Sequence, residues 1–244
     1  MLKSMQTHFE GTIGDALCAE IVSKGIEHFR LSGMNSTHYV CTEMLNEARL
    51  ANADPLLIIS DHTILSDIAN CDIEWGNEPD GDMLPRTYHE SFMKAYEICQ
   101  VNGNRLHGPA ISNLDMDSLR WLEAFIKLGI PGDVVITYHH YTPDMFFWQS
   151  HQGFEDRDHE MRSLKNIAWG RDIACSESGY NDTNESRVEE NVAKEIEFGI
   201  KHGLKFWTYY QINDDTPNGQ YFGARRTNVD FSWKPVINCF SSSK

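Results

Sequence analysis

Residues 72–80 read Asp-Ile-Glu-Trp-Gly-Asn-Glu-Pro-Asp (DIEWGNEPD). Ile73 and Trp75 alternate with Glu74 and Gly76, which is the two-residue period of a β-strand. Pro79 has no backbone donor and cannot continue a central ladder, so the strand must stop there. Glu78 is thereby left at the carboxyl end of a strand, with the Asn77 amide beside it. A second stretch answers it: residues 172–180, DIACSESGY. By the same alternation Ile173, Cys175 and Glu177 share one face, and Ser178-Gly179 breaks the strand just after Glu177. A glutamate at one strand end is more often a solvated loop residue. Two of them at two strand ends are what glycosidic bond cleavage needs.

Outward from these two stretches, strand-like and helix-like segments alternate from end to end, without repeats or linkers. Strands are expected over 6–9, 26–32, 55–60, the run into Glu78, 105–112, 133–141, the run into Glu177, and 204–212. Residues 55–60, PLLIIS, form a continuous apolar run, typical of a strand buried on both faces. Helices are expected over 15–23, 39–51, 86–101, 160–169 and 185–202. One more is capped by Asp117 or Ser118 and stopped by Gly129. Pro85 suits a first helical position, and Val188, Val192, Ile196 and Ile200 form one stripe. Between residues 61 and 71 only a brief helix fits.

Eight strands, each followed by a helix or a loop able to hold one, point to an α/β protein: a (β/α)8 TIM barrel. The chain has 244 residues, near the ~250 typical of that fold, so a single compact domain over 1–244 with few insertions is expected. A doubly wound open sheet would want a Gly-rich first turn, and none is present. Active groups of a barrel sit at the carboxyl ends of its strands. Sorting the sequence that way collects His8, Arg30, Asn77, Glu78, His139, Tyr141, Glu177 and Trp207. Glu74 falls on the inward face with Gly76 and Glu78. A buried carboxylate there needs a partner, and Arg30 is the candidate.

The net charge of −15 disfavours nucleic acid and anionic membrane surfaces as partners and says little about a neutral sugar polymer. No apolar run approaches the roughly 18 residues of a membrane span. The opening MLKSMQTHFEG lacks an apolar signal region, so a cytoplasmic location is expected unless a leader was trimmed. The six cysteines are scattered without C-x-x-C and are expected as buried thiols. Oligomeric state is not written in the sequence.

With these pieces in order, the chain resembles clan A glycoside hydrolases, the (β/α)8 retaining enzymes. Asn77-Glu78-Pro79 is similar to their strand-four motif, whose glutamate is the acid/base. Glu177 in SESGY resembles the strand-seven nucleophile, and Arg30 falls where the clan has a strand-two arginine. His139-His140-Tyr141 is similar to the strand-six H-x-Y pattern, and Trp207 resembles the strand-eight tryptophan under the cleaved sugar. GNEPD, HGPA and YYQINDD resemble families 39 and 79 and the bacterial exopolysaccharide hydrolases near them, while H-x-Y resembles family 5. Gly76 departs from the frequent tryptophan before the motif asparagine. The resemblance implies retaining hydrolysis of a β-linked oligo- or polysaccharide without a cofactor or metal. It implies Glu177 as nucleophile and Glu78 as acid/base, with the charge of Glu177 raising the Glu78 pKa. Arg30, Asn77, His139, Tyr141 and His8 would surround the sugar. Trp207 or Tyr209, one face of one strand, would be its platform.

Two other readings stay open. One is a metal-dependent barrel hydrolase using His8, His139, His140 and Asp214, although His139 and His140 side chains point to opposite faces of a strand. The other is a non-catalytic sugar-binding barrel, which needs neither glutamate. The connections after strands one and three are short, and longer ones occupy 142–159 and 214–229. An open cleft and internal cleavage are therefore expected over an exo-acting pocket, with Phe146, Phe147 and Trp148 available for stacking on further sugar rings.

Overall fold

The computed structural model describes residues 1–7, 14–34, 36–141, 154–213, 222–226 and 232–241. Eight parallel strands close into a barrel in chain order. They are β1 (Leu2–Thr7), β2 (His28–Ser32), β3 (Asp54–Ile59), β4 (Asp72–Trp75), β5 (Arg105–Ile111), β6 (Val135–Tyr141), β7 (Ile173–Gly179) and β8 (Phe206–Tyr209). Pairing of β8 with β1, through Leu2 and Phe206, closes the ring. The outer layer holds α1 (Asp15–Ser23), α2 (His38–Leu50), α3 (His62–Ser66), α4 (Pro79–Asp82), α5 (Pro85–Asn102), α6 (Met116–Lys127), α7 (Phe154–Ala168) and α8 (Glu185–His202). A 3-10 turn, Pro235–Ile237, and a last short helix, α9 (Asn238–Ser241), complete it.

Three local differences from the sequence reading matter. Strand β1 begins at Leu2, four residues before the expected start, so Gln6 rather than His8 is its last described buried polar residue. His8 lies outside the described residues. A one-turn helix, α4, follows Glu78, in a stretch where no helix was expected before residue 86. Helix α6 is capped by Asp115, whose Oδ1 accepts from the backbone N–H of both Asp117 and Ser118. Those two residues are the orphan donors of the first turn, not its cap.

The two faces of the strands carry opposite chemistry. Met5, Phe29, Leu31, Leu57, Ile59, Ile73, Trp75, Leu106, Ile136, Tyr138 and Cys175 join the helices in one continuous apolar layer. Their in-between neighbours are buried inside the barrel, and most are polar: Ser4, Gln6, His28, Arg30, Glu74, His107, Thr137 and His139. A small apolar plug, Leu56, Val135, Ala174 and Phe206, sits among them, with Ile58 beside Glu74. Apolar burial between barrel and helices stabilises the fold. The interior is left to polar groups that must satisfy one another. All six cysteines are thiols. Among the described residues no helix is long and apolar enough to cross a membrane.

Candidate active site

Arg30 organises the upper barrel. Its side chain is fully buried, and each of its five N–H groups has an acceptor. Nε donates to Glu74 Oε2 at 2.6 Å. Nη1 donates to Gln6 Oε1 at 2.5 Å and to Glu177 Oε2 at 2.6 Å. Nη2 donates to Asn77 Oδ1 at 3.0 Å and to His139 Nε2 at 3.2 Å. Strands β1, β2, β4, β6 and β7 are thus tied together at one guanidinium, whose planar fork suits several acceptors at once. The partner expected for buried Glu74 is the one found.

These contacts settle proton positions by elimination. Arginine can only donate, so His139 Nε2 accepts and Nδ1 carries the proton. Nδ1 lies 2.8 Å from Glu78 Oε1 and donates to it. Nε2 lies 3.9 Å from Glu177 Oε2, beyond hydrogen-bond reach, so the link from His139 to Glu177 runs through Arg30. Asn77 is exposed, and with its Oδ1 engaged by Arg30, its amide N–H groups remain the donors on offer.

Glu78 is presented by an unusual backbone. Its φ of 48° and ψ of 50° lie in the left-handed region, at a cost of about 1–2 kcal/mol for a residue with a Cβ. Its N–H donates to Ala110 O on β5 at 2.9 Å, and its carbonyl accepts from Gly81 N at 3.2 Å. The result lifts the carboxylate to the rim, where its side chain is 41 % exposed. Glu177 lies deeper, at 11 %.

Glu177 reaches the interior because β7 is bulged. Tyr138 pairs with Cys175, but the next residue, His139, pairs with Glu177. The extra residue, Ser176, breaks the alternation, so Cys175 faces the helices while Glu177 faces Arg30. The sequence reading put Cys175 and Glu177 on one face; strict period two cannot count a residue that only the pairing reveals.

The electrostatics also correct an expectation. Glu78 is held below the usual carboxylate range, chiefly by the His139 hydrogen bond, against burial that pushes it up. The charge of Glu177 was expected to raise it. A donating imidazole stands between the two, and Arg30 absorbs much of the field of Glu177. For Glu74, burial pushes the pKa up, but the charge and hydrogen bond of Arg30 outweigh it and hold the carboxyl low.

Trp207 and Tyr209 do not line the mouth. Phe206 faces the barrel axis, stacked on His28 at 4.7 Å, so the alternate residues face outward. Trp207 is 1 % exposed and packs on Phe240 of α9, and the Tyr209 hydroxyl donates to Phe222 O at 2.5 Å. The aromatic residue that the reading missed is Tyr210, one step further along. It is partly exposed, and its ring meets Tyr141 edge-on at 6.0 Å and Phe222 at 5.5 Å. Its N–H donates to Ser178 O at 2.7 Å, which keeps it beside Glu177. Gly179 permits that approach: a Cβ there would lie 2.7 Å from Tyr210 O. The signal was available in parity, because Thr208 and not Trp207 suits a polar interior. Tyr141 is half-buried and packs with this aromatic group. Gln6 was also missed, as strand one was expected to begin there.

His139 faces the axis, while His140 faces the helix layer near Arg157. Asp214, Phe146, Phe147 and Trp148 lie outside the described residues.

Comparison of the sequence with protein-family models and with curated proteins finds no match. Solved structures share the fold over nearly the whole chain. Endoglucanase Cel5A from the hyperthermophilic Thermotoga maritima superposes with a TM-score of 0.72 at 16% identity, over 98% of this chain and 96% of that one. The endo-β-1,4-glucanase Xac0029 from Xanthomonas axonopodis pv. citri gives 0.73 at 11%, over 98% and 97%. A GH128 (subgroup I) endo-β-1,3-glucanase from Amycolatopsis mediterranei, solved in complex with laminaritriose, gives 0.66 at 14%, over 99% and 98%. At these identities the likeness establishes the barrel fold.

Proposed function

We propose that this chain is a retaining β-glycoside hydrolase that cleaves a β-linked glucan, with Glu177 as nucleophile and Glu78 as acid/base. The observation that carries it is one hydrogen-bonded array joining the two glutamates: Arg30 grips Glu177 from below and donates to His139, whose imidazole donates to Glu78. The glucanases of the same fold support the substrate class. Glu177 attacks the anomeric carbon as the bond to the leaving oxygen breaks, and Glu78 gives its proton to that oxygen. Glu78 then takes a proton from water, which attacks the same carbon and frees Glu177, so the configuration is retained. In the free protein His139 favours the Glu78 carboxylate. A bound sugar strips water from the half-exposed group, and that desolvation raises its proton affinity.

The short β3–α3–β4 connection, with a helix of only five residues, supports an open cleft and internal attack. The test is a panel of β-1,3- and β-1,4-glucans with reducing ends counted and products separated. A ladder of oligosaccharides, lost in Glu177→Ala, is expected. Monosaccharide or disaccharide alone would overturn endo attack. An inverted first product would overturn retention, and no release from any polymer would sink the hydrolase reading.

A further inference from the structure

We infer that Asp80 is a positioning residue: its carboxylate clamps the turn that presents Glu78. The inference rests on the proposed role of Glu78. A left-handed glutamate immediately before a proline persists only if its surroundings over-determine it. The four-residue helix α4 cannot do so alone, since so short a helix does not repay its own nucleation. The restraint comes from outside. Asp80 Oδ1 accepts from Ser112 N at 2.9 Å. Oδ2 accepts from Ser112 Oγ at 2.7 Å and from Ser118 Oγ at 2.7 Å.

Ser112 follows the last residue of β5, and Ser118 lies in the first turn of α6. The turn is therefore gripped on both sides of Pro79: by Ala110 O at Glu78 N, and by three hydrogen bonds to a carboxylate. Bonds to a charged acceptor are the stronger kind. Their donors stand at the end of β5 and in the first turn of α6, so the turn is tied to two separate elements. None of the three contacts is local to α4, which separates this role from ordinary helix-end charge compensation.

Releasing the clamp lets the acid/base drift while leaving Glu177 and Arg30 in place. A displacement of about 1 Å at a proton-transfer group costs on the order of 100-fold in rate. Asp80→Ala separates two half-reactions. An activated 2-deoxy-2-fluoro-β-glucoside with a dinitrophenolate leaving group esterifies Glu177 without needing a proton, so its trapping rate should stay at the wild-type level. Hydrolysis of unactivated β-glucan, which needs Glu78, should fall by about 100-fold in kcat/KM. Ser118→Ala, which removes one of the three bonds, should show the same split to a smaller extent, and it decides the matter if Asp80→Ala fails to fold. Equal loss in both reactions, or loss in neither, overturns the positioning role. A wild-type protein that is neither labelled nor active overturns the hydrolase reading itself, and this inference with it.

Discussion

Replacing Arg30 by methionine keeps most of the volume and removes the charge and all five donors. Glu74 then stands with a fully buried side chain and no counter-charge. Removing one partner of a buried pair costs about 3–5 kcal/mol, because the other charge is left uncompensated. Buried Gln6 also loses a donor, whereas exposed Asn77 recovers one from water. About 4 kcal/mol at pH 7.5 is expected, a large part of the roughly 5–15 kcal/mol that holds a domain folded. The pH dependence reverses in sign. In the wild type Glu74 is depressed below its unfolded value, so its contribution is present above that value and lost as pH falls through the folded pKa. Without Arg30, burial dominates and the folded pKa rises above the unfolded one. The variant then gains stability as pH falls through that raised value, by up to about 1.4 kcal/mol per pH unit. The gap between the two proteins should therefore narrow on acidification. Urea unfolding at pH 8, 6.5 and 5 measures it. Arg30→Met/Glu74→Gln should recover part of the loss, since Glu74 is then neutral while Glu177 still lacks its cation. A cost below about 1 kcal/mol, a gap independent of pH, or no recovery in the double variant would refute the account.

His139→Ala removes the donor that favours ionised Glu78, so the protonated form should persist to higher pH and the alkaline limb of kcat/KM on β-glucan should move upward; a limb that stays or moves down contradicts the proton assignment. Burial, with help from His107, lowers His28 to about 4. Its contribution should be intact above pH 6.5 and decline toward pH 4, by about 3 kcal/mol in total, with the slope weakened in His28→Asn when unfolding is followed across that range. Tyr210→Ala should lose about tenfold in kcat/KM on β-glucan with little change in melting temperature. Trp207→Ala should do the opposite, costing about 3–5 kcal/mol of stability through a cavity under α9.

Much of the barrel is legible in single stretches because the physics behind those stretches is local. Alternation over 73–76 and the missing donor of Pro79 place Glu78 at a strand end without reference to any other residue. The stripe of Val188, Val192 and Ile196, stopped by Gly203 in the left-handed region, marks α8 from Glu185 to His202 as read. The Arg30–Glu74 pair is foreseeable too, since a buried carboxylate requires a cation and few are within reach. What the sequence could not decide concerns relations between strands. Ser176 is a bulge only because β6 runs one residue short opposite it, and that count turns Glu177 to the axis. Trp207 faces α9 because the closure of β8 on β1 sets the parity of the last strand, which leaves Tyr210 for the mouth. The proton on Glu78 depends on a histidine sixty-one positions away, held in one tautomer by an arginine from a third strand. Period and propensity act over a few residues along the chain; face, tautomer and charge are set by neighbours that only closure of the barrel brings together.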